Sequence, residues 1–171
     1  FVGSRGLGDV YKRQPYNPSI IEPKWQKKWK DSKIYSVDLD SKNKENYFSL
    51  TMFPYPSGDL HIGHWYAFTP ADSYSRFKKM KGFNVLHTQG FDAFGLPAEN
   101  AAISRNINPM KWTFDNIDNM RGQFNLMGNS YDWTRELITC TPEYYKWNQF
   151  FFLKMYEKGI AYRKNGAVWW D

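Results

Sequence analysis

The sequence predicts an α/β fold, and three observations predict it. Apolar runs of strand length, Tyr47–Phe53 and Phe83–His87, alternate with longer stretches of helical period. The first run is near-continuously apolar, which suits a strand of a parallel sheet covered on both faces. Between it and the next helical stretch, residues 52–64 read MFPYPSGDLHIGH, where Pro54, Pro56 and Gly58 turn the chain sharply. A strand, a tight turn and a helix start carrying polar donors is how open α/β sheets hold a nucleotide at the carboxyl end of the strands. No GxGxxG and no GxxxxGK[ST] run is present. The turn therefore points to ATP chemistry without a P-loop, and away from a hydride cofactor.

Each element follows in order. Ile20–Ser32 (IIEPKWQKKWKDS) is an amphipathic helix, with Trp25 and Trp29 on one face and lysines on the other. Ser36–Asn46 is a polar connector. After His64 two helix starts compete. Thr69-Pro70-Ala71-Asp72 offers a Thr cap, a first-turn Pro and an acid. A helix running from Ile62 would instead bend at Pro70, at a cost of ~3 kcal/mol. Either way the helix ends at Gly82, after Lys78, Lys79 and Lys81. Gly90–Pro97 is a turn-rich loop, and Glu99–Arg105 and Pro109–Met127 read as helices. Thr141-Pro142-Glu143 opens another helix and Gly159 closes it. Its stripe Tyr144, Trp147, Phe151 and Met155 reads as core rather than as a base-stacking surface. Val168–Trp170 begins a third strand, and the chain stops inside it, as a piece of a longer protein would.

Composition narrows the classes. The chain has 171 residues, 19% of them aromatic, which is ample for a core and too much for a disordered chain. The net charge of +6 fits an anionic partner such as a nucleotide or RNA. The single Cys140 excludes an internal disulfide framework and agrees with a reducing, cytoplasmic compartment. No apolar run approaches the ~20 residues of a membrane span, and no signal peptide is visible. Residues 1–14 (FVGSRGLGDVYKRQ) stand apart: they are Gly-rich, without helical or strand period, and DVYKRQ resembles a translated sequencing adapter. They are read as an artefact or a disordered tail, and residues 15–171 as the domain.

The candidate chemistry lies at the first turn. His61 and His64 can donate to phosphate oxygens as charge grows in a transition state, and Gly63 lets a ligand approach the backbone. A metal site would need a third ligand; HExxH is absent and His87 is the only other histidine, so no metal ligands are assigned. Asp92, in the loop after the second strand, either pairs with a ligand ammonium group or caps its turn. Lys78, Lys79 and Lys81 are read as a solvated helix face rather than an RNA contact. Cys140 has no nearby histidine in sequence and no catalytic role.

PYPSG followed by LHIGH resembles the His-x-Gly-His signature of the class I aminoacyl-tRNA synthetases. MFPYPSGDLHIGH, GFDAFGLPAENAA, YDWTRELITCTPEYYKWNQ and KMYEKGIAYRKNGAV narrow the resemblance to the N-terminal part of the leucyl-tRNA synthetase family, over Tyr16–Asp171. The resemblance implies the first half of a Rossmann-like parallel sheet with flanking helices. It implies that His61, Gly63 and His64 bind ATP, the histidines stabilising the transition state at the α-phosphorus. It implies that Asp92 holds the α-ammonium of leucine, while Met52, Phe53 and Tyr55 line the amino-acid site, Tyr55 against the adenylate. Leucine, ATP with Mg²⁺ and tRNA(Leu) would be the partners, and a monomer the expected state. Trp65-Tyr66-Ala67 departs from the Arg-Asn or Lys-Asn pair common after the second histidine, and Asp171 stands where many members begin a zinc module. The KMSKS-type loop, second Rossmann half, editing domain and anticodon-binding domain normally lie further on, so the fragment alone is expected to be inactive. Isoleucyl, valyl or methionyl specificity, a non-catalytic nucleotide- or RNA-binding paralogue and a small nucleotidyltransferase are the alternative readings.

Overall fold

A computed structural model describes residues 16–167 and 169. Residues 1–14, and all of the expected strand Val168–Trp170 except Trp169, lie outside the described residues. In chain order the elements are α1 (Pro18–Asp31), β1 (Asn46–Ser49), α2 (Ile62–Met80), β2 (Asn84–His87), β3 (Gly90–Phe91), α3 (Leu96–Arg105), α4 (Pro109–Met127), β4 (Leu137–Ile138) and α5 (Pro142–Glu157). A 3₁₀ turn at Trp133–Arg135 precedes β4.

The strands form a parallel layer. β1 pairs with β2, Asn46 opposite Asn84 through Ser49 opposite His87, and α2 is the crossover between them. β3 pairs with β4, Gly90 opposite Leu137 and Phe91 opposite Ile138. Isolated backbone bonds join these ladders. On one side Asp92 N–H donates to Pro54 O at 3.0 Å; on the other Asp132, Leu137 and Thr139 N–H donate to His87, Gln89 and Phe91 O at 2.8, 3.2 and 3.1 Å. The segment 84–92 is thus a central line flanked by the β1 side and the β4 side. Gly90 permits this closeness: a Cβ there would lie 2.4 Å from Leu137 O.

The core lies between the layer and two helices. Phe68 of α2, Ile117, Met120 and Phe124 of α4, Phe91 of the central line, Ala93 just after it, and Tyr131 form one buried cluster. Phe124 is its hub, with ring centroids 5.4 Å from Phe68, 5.7 Å from Tyr131 and 6.1 Å from Trp133. α1 is fastened from outside. Trp29 packs edge-on against Tyr35, and Arg76 of α2 lies over both rings.

Several expectations are corrected. The strand expected over Tyr47–Phe53 is only Asn46–Ser49, and it is not covered on both faces, because Phe48 is 56% exposed. Prolines at 54 and 56 lack the N–H groups a longer ladder would use. α2 begins at Ile62 and runs through Pro70, so Thr69 is no cap; the start at His61 carries a reciprocal cap instead. The loop expected from Gly90 holds a two-residue strand, α3 begins at Leu96 rather than Glu99, and β4 was not foreseen. α4 matches its expected limits, and α5 carries the foreseen Thr141 cap position, with Gly159 beyond its end at φ +70°. Lys78 is half-buried rather than solvated: its ammonium sits 4.4 Å from the Phe83 ring centroid and 4.9 Å from that of Tyr47. The stripe on α5 is not core among the described residues; Trp147, Phe151 and Met155 are exposed. Periodicity identifies an apolar face but not what covers it.

Candidate active site

The turn before α2 builds a reciprocal cap from two histidines. His61 is the N-cap of α2, in extended conformation. Its Nδ1 accepts from Gly63 N–H at 3.1 Å, while His64 Nδ1 accepts from His61 N–H at 3.1 Å. This is capping-box geometry with imidazoles in place of the usual hydroxyl and carboxylate. The rings lie 3.9 Å apart. Because each Nδ1 accepts, each neutral ring carries its proton on Nε2, which remains as a donor. Burial, and then the neighbouring His61, hold His64 below the ordinary imidazole value. Gly63 has a sharper reason than ligand approach: a Cβ there would lie 2.9 Å from His61 Cε1. The helix dipole adds partial positive charge at this end.

The second group gathers at the ends of β1 and β3. The Asp92-to-Pro54 backbone bond sets Asp92 beside the segment that carries Met52, Phe53 and Tyr55. The Asp92 carboxyl is exposed and accepts only a long 3.4 Å bond from Thr139 Oγ1, so it remains available to a cation. The Thr139 hydroxyl also accepts from Ala93 N–H at 2.8 Å, which fixes the loop. Tyr55 spans to α3: its hydroxyl accepts from Ala98 N–H at 3.1 Å and donates to Gly95 O at 3.4 Å. Phe53 is half-buried, whereas Met52 is 84% exposed and is not enclosed by the described residues.

Sequence reasoning missed the residues that hold these groups. Asp59 Oδ1 accepts from Asn119 Nδ2 and Gln123 Nε2, both at 2.8 Å, and Gln123 Oε1 accepts from Leu60 N–H at 2.7 Å. Asn119 and Gln123 lie four apart on one face of α4, but they stand among other polar positions such as Asp115, Asp118 and Asn125, so no local signal singles them out. Asp72 is a second hub. It accepts from Arg76 Nε at 2.8 Å and from Ser130 N–H and Oγ at 2.5 and 2.6 Å. The Ser130 hydroxyl donates to Asp72, so at 3.2 Å it accepts from His87 Nδ1. His87 is buried, and desolvation pushes it down to about 4. Burial also raises the Cys140 thiol, which keeps it protonated and a poor nucleophile. Among the described residues no group of three or more His, Cys, Asp or Glu could hold a metal ion, and no helix is long and apolar enough to cross a membrane. A cavity of about 350 Å³, lined in part by His61, Ile62, Trp65 and Gln123, flanks the histidine pair. A larger one, about 520 Å³ beside α1, contains none of the expected site residues.

The family model described as tRNA synthetases class I (I, L, M and V) matches residues 24–171. A leucine–tRNA ligase of Rubrobacter xylanophilus is 55% identical over 158 residues, covering 92% of this chain and 19% of that protein. One from Dehalococcoides mccartyi is 57% identical over 157 residues, with the same 92% and 19% coverage. The ternary complex of Agrobacterium radiobacter K84 agnB2 LeuRS, tRNA and LeuAMS contains a chain of similar structure. Its TM-score is 0.78 at 42% identity, over 84% of this chain and 18% of that one. Mycobacterium tuberculosis methionyl-tRNA synthetase in complex with methionyl-adenylate shares the fold, with a TM-score of 0.63 at 23% identity over 67% of this chain and 22% of that one. The chain spans about a fifth of the length of the curated relatives it matches.

Proposed function

This chain belongs to the class I tRNA synthetases, and from that premise we propose that residues 15–171 are the N-terminal part of the catalytic domain of a leucyl-tRNA synthetase. The observation that carries the chemistry is the histidine pair, whose two Nε2–H donors stand at the N-terminus of α2. The leucyl reading is supported by leucine–tRNA ligases at 55 and 57% identity and, among solved structures, by 42% for the leucyl enzyme against 23% for the methionyl one.

In the activation step a leucine carboxylate oxygen attacks the ATP α-phosphorus, and pyrophosphate leaves. His61 and His64 donate to the phosphate oxygens as negative charge accumulates there. Asp92 pairs with the leucine α-ammonium. Tyr55, pinned between Gly95 and Ala98, gives the adenylate a fixed surface. Met52 and Phe53 flank the leucine. A hydroxyl of the terminal tRNA(Leu) ribose then attacks the leucyl carbonyl and releases AMP. Mg²⁺ enters with ATP as the substrate complex. We place the enzyme in the cytoplasm as a monomer. Little covalent chemistry falls to the protein, so positioning supplies most of the acceleration.

The test is leucine-dependent ATP–pyrophosphate exchange by the full-length gene product, with isoleucine, valine and methionine as comparators. Exchange strongest with leucine, and lost in His64→Ala and Asp92→Ala, is the expected result. Exchange strongest with another amino acid would overturn the substrate. A folded, full-length product without exchange would overturn the enzymatic reading and leave a nucleotide- or RNA-binding paralogue.

A further inference from the structure

The two residues before the histidine cap are gripped by one amide. Gln123 donates from Nε2 to Asp59 Oδ1 at 2.8 Å and accepts at Oε1 from Leu60 N–H at 2.7 Å. Asn119, one turn earlier on α4, donates to the same Asp59 oxygen at 2.8 Å. The other face of α4 is anchored in the core through Ile117, Met120 and Phe124, all 0–1% exposed. The grip thus ties the entrance of α2 to the buried core.

The consequence reaches the histidines through backbone groups of neighbouring residues. Leu60 N–H goes to Gln123, His61 N–H to His64 and Gly63 N–H to His61. If residues 59–60 shift, the His61 backbone shifts, and both halves of the reciprocal cap move with it. The Nε2–H donors are the far ends of those same rings, so a backbone error is carried to the reacting phosphate. Sequence gives no sign of this, because Gln123 is 62 residues from His61 along the chain.

We propose that Gln123, acting through Asp59 and Leu60, is a positioning residue that sets where the His61–His64 donors meet the α-phosphate, an inference that rests on the activation reaction proposed above. Both ends of the amide are required, and that requirement makes a specific prediction about charge. Gln123→Glu keeps the acceptor for Leu60 but sets a second carboxylate against Asp59, with no proton between them. Asp59→Asn alone keeps the acceptor oxygen for both donors. Asp59→Asn combined with Gln123→Glu restores a donor–acceptor pair in the reverse sense. The new amide on the turn then donates to the new carboxylate on α4, with the Asn119 amide turned over.

The experiment is active-site-titrated ATP–pyrophosphate exchange on the full-length protein, with kcat and KM for leucine and a thermal melt for each variant. Gln123→Glu is expected to lower kcat on the order of 10²-fold, the usual size of a 1 Å misplacement. KM for leucine should hold, because Asp92 follows β3 and the Tyr55 hydroxyl is held by Gly95 and Ala98 at the start of α3. Asp59→Asn should stay close to the parent, and the double variant should recover most of the lost kcat. A folded Gln123→Glu with parental kcat would overturn the inference, as would a lowered Tm with unchanged kcat per active site. Failure of a folded double variant to recover would overturn the pairing. A parent without leucine-dependent exchange, or with exchange that survives His64→Ala, would overturn the proposed function and this role together; an active parent with an indifferent Gln123 overturns this role alone.

Discussion

Gly63→Ala should separate stability from activity. A methyl group at 63 would lie 2.9 Å from His61 Cε1 and 3.0 Å from its Nδ1. The obstacle is a side-chain ring rather than backbone, so the ring yields by rotating away. That rotation breaks the bond from Gly63 N–H to His61 Nδ1, worth ~0.5–1.5 kcal/mol. Alanine returns ~1 kcal/mol of helix propensity over glycine. The two terms nearly cancel, so the melting temperature should barely move. Catalysis has no such offset, because His61 Nε2 travels with the ring, and a displacement of about 1 Å costs on the order of 10²-fold. The freed Nδ1 also stops fixing the tautomer. The assay is leucine-dependent pyrophosphate exchange per titrated active site in the full-length protein, beside a thermal melt. A Gly63→Ala variant that keeps its kcat would refute the reasoning, and so would one that loses kcat and Tm in proportion.

Three further outcomes are expected. Asp72→Ala leaves Arg76 and Ser130 without their common acceptor and should cost ~3 kcal/mol, the usual size for breaking a largely buried pair, read as a lowered denaturant midpoint. His87 titrates at about 4 when folded against 6.5 when exposed, so the unfolded chain takes the proton first. Stability from this group is whole above pH 6.5 and is lost as pH falls toward 4, by at most about 3 kcal/mol; His87→Asn should flatten that slope in pH-dependent melts. Purified residues 15–171 should show no leucine-dependent exchange, and measurable turnover by that piece would contradict its being only part of the catalytic machinery.

The legible parts of this chain are those that short-range rules govern. Pro109 and Thr141-Pro142 announce helix starts because proline fits the first turn, and α4 fills its expected limits. The histidine turn was legible for a related reason: the proposed site residues also form the helix cap, within four positions of one another. What was not legible depends on distant partners. The bond between Pro54 and Asp92 and the grip of Gln123 on residues 59–60 bridge tens of positions. The start of α2 was obscured by Thr69-Pro70, a local signal for a cap that the stronger histidine cap overrides. The α5 stripe was misread because an apolar face says only that something must cover it.

The cap and the proposed catalytic pair are one object, and that limits how the proposed site can work. An imidazole whose Nδ1 accepts a backbone N–H cannot be protonated there without losing the bond. Each histidine therefore holds its place only as the neutral Nε2–H form, and His64 is held below the ordinary imidazole value by burial and by its neighbour. Charge on the rings would oppose the geometry that aims them. In the proposed reaction the growing phosphate charge would thus meet aimed dipoles, two N–H groups and the roughly half-charge of the α2 terminus. Dipoles act over shorter distances than charges, so their value depends steeply on placement. That dependence fits the number of bonds at this turn, from Gly63, Leu60, Asp59 and Gln123, that fix backbone and ring positions.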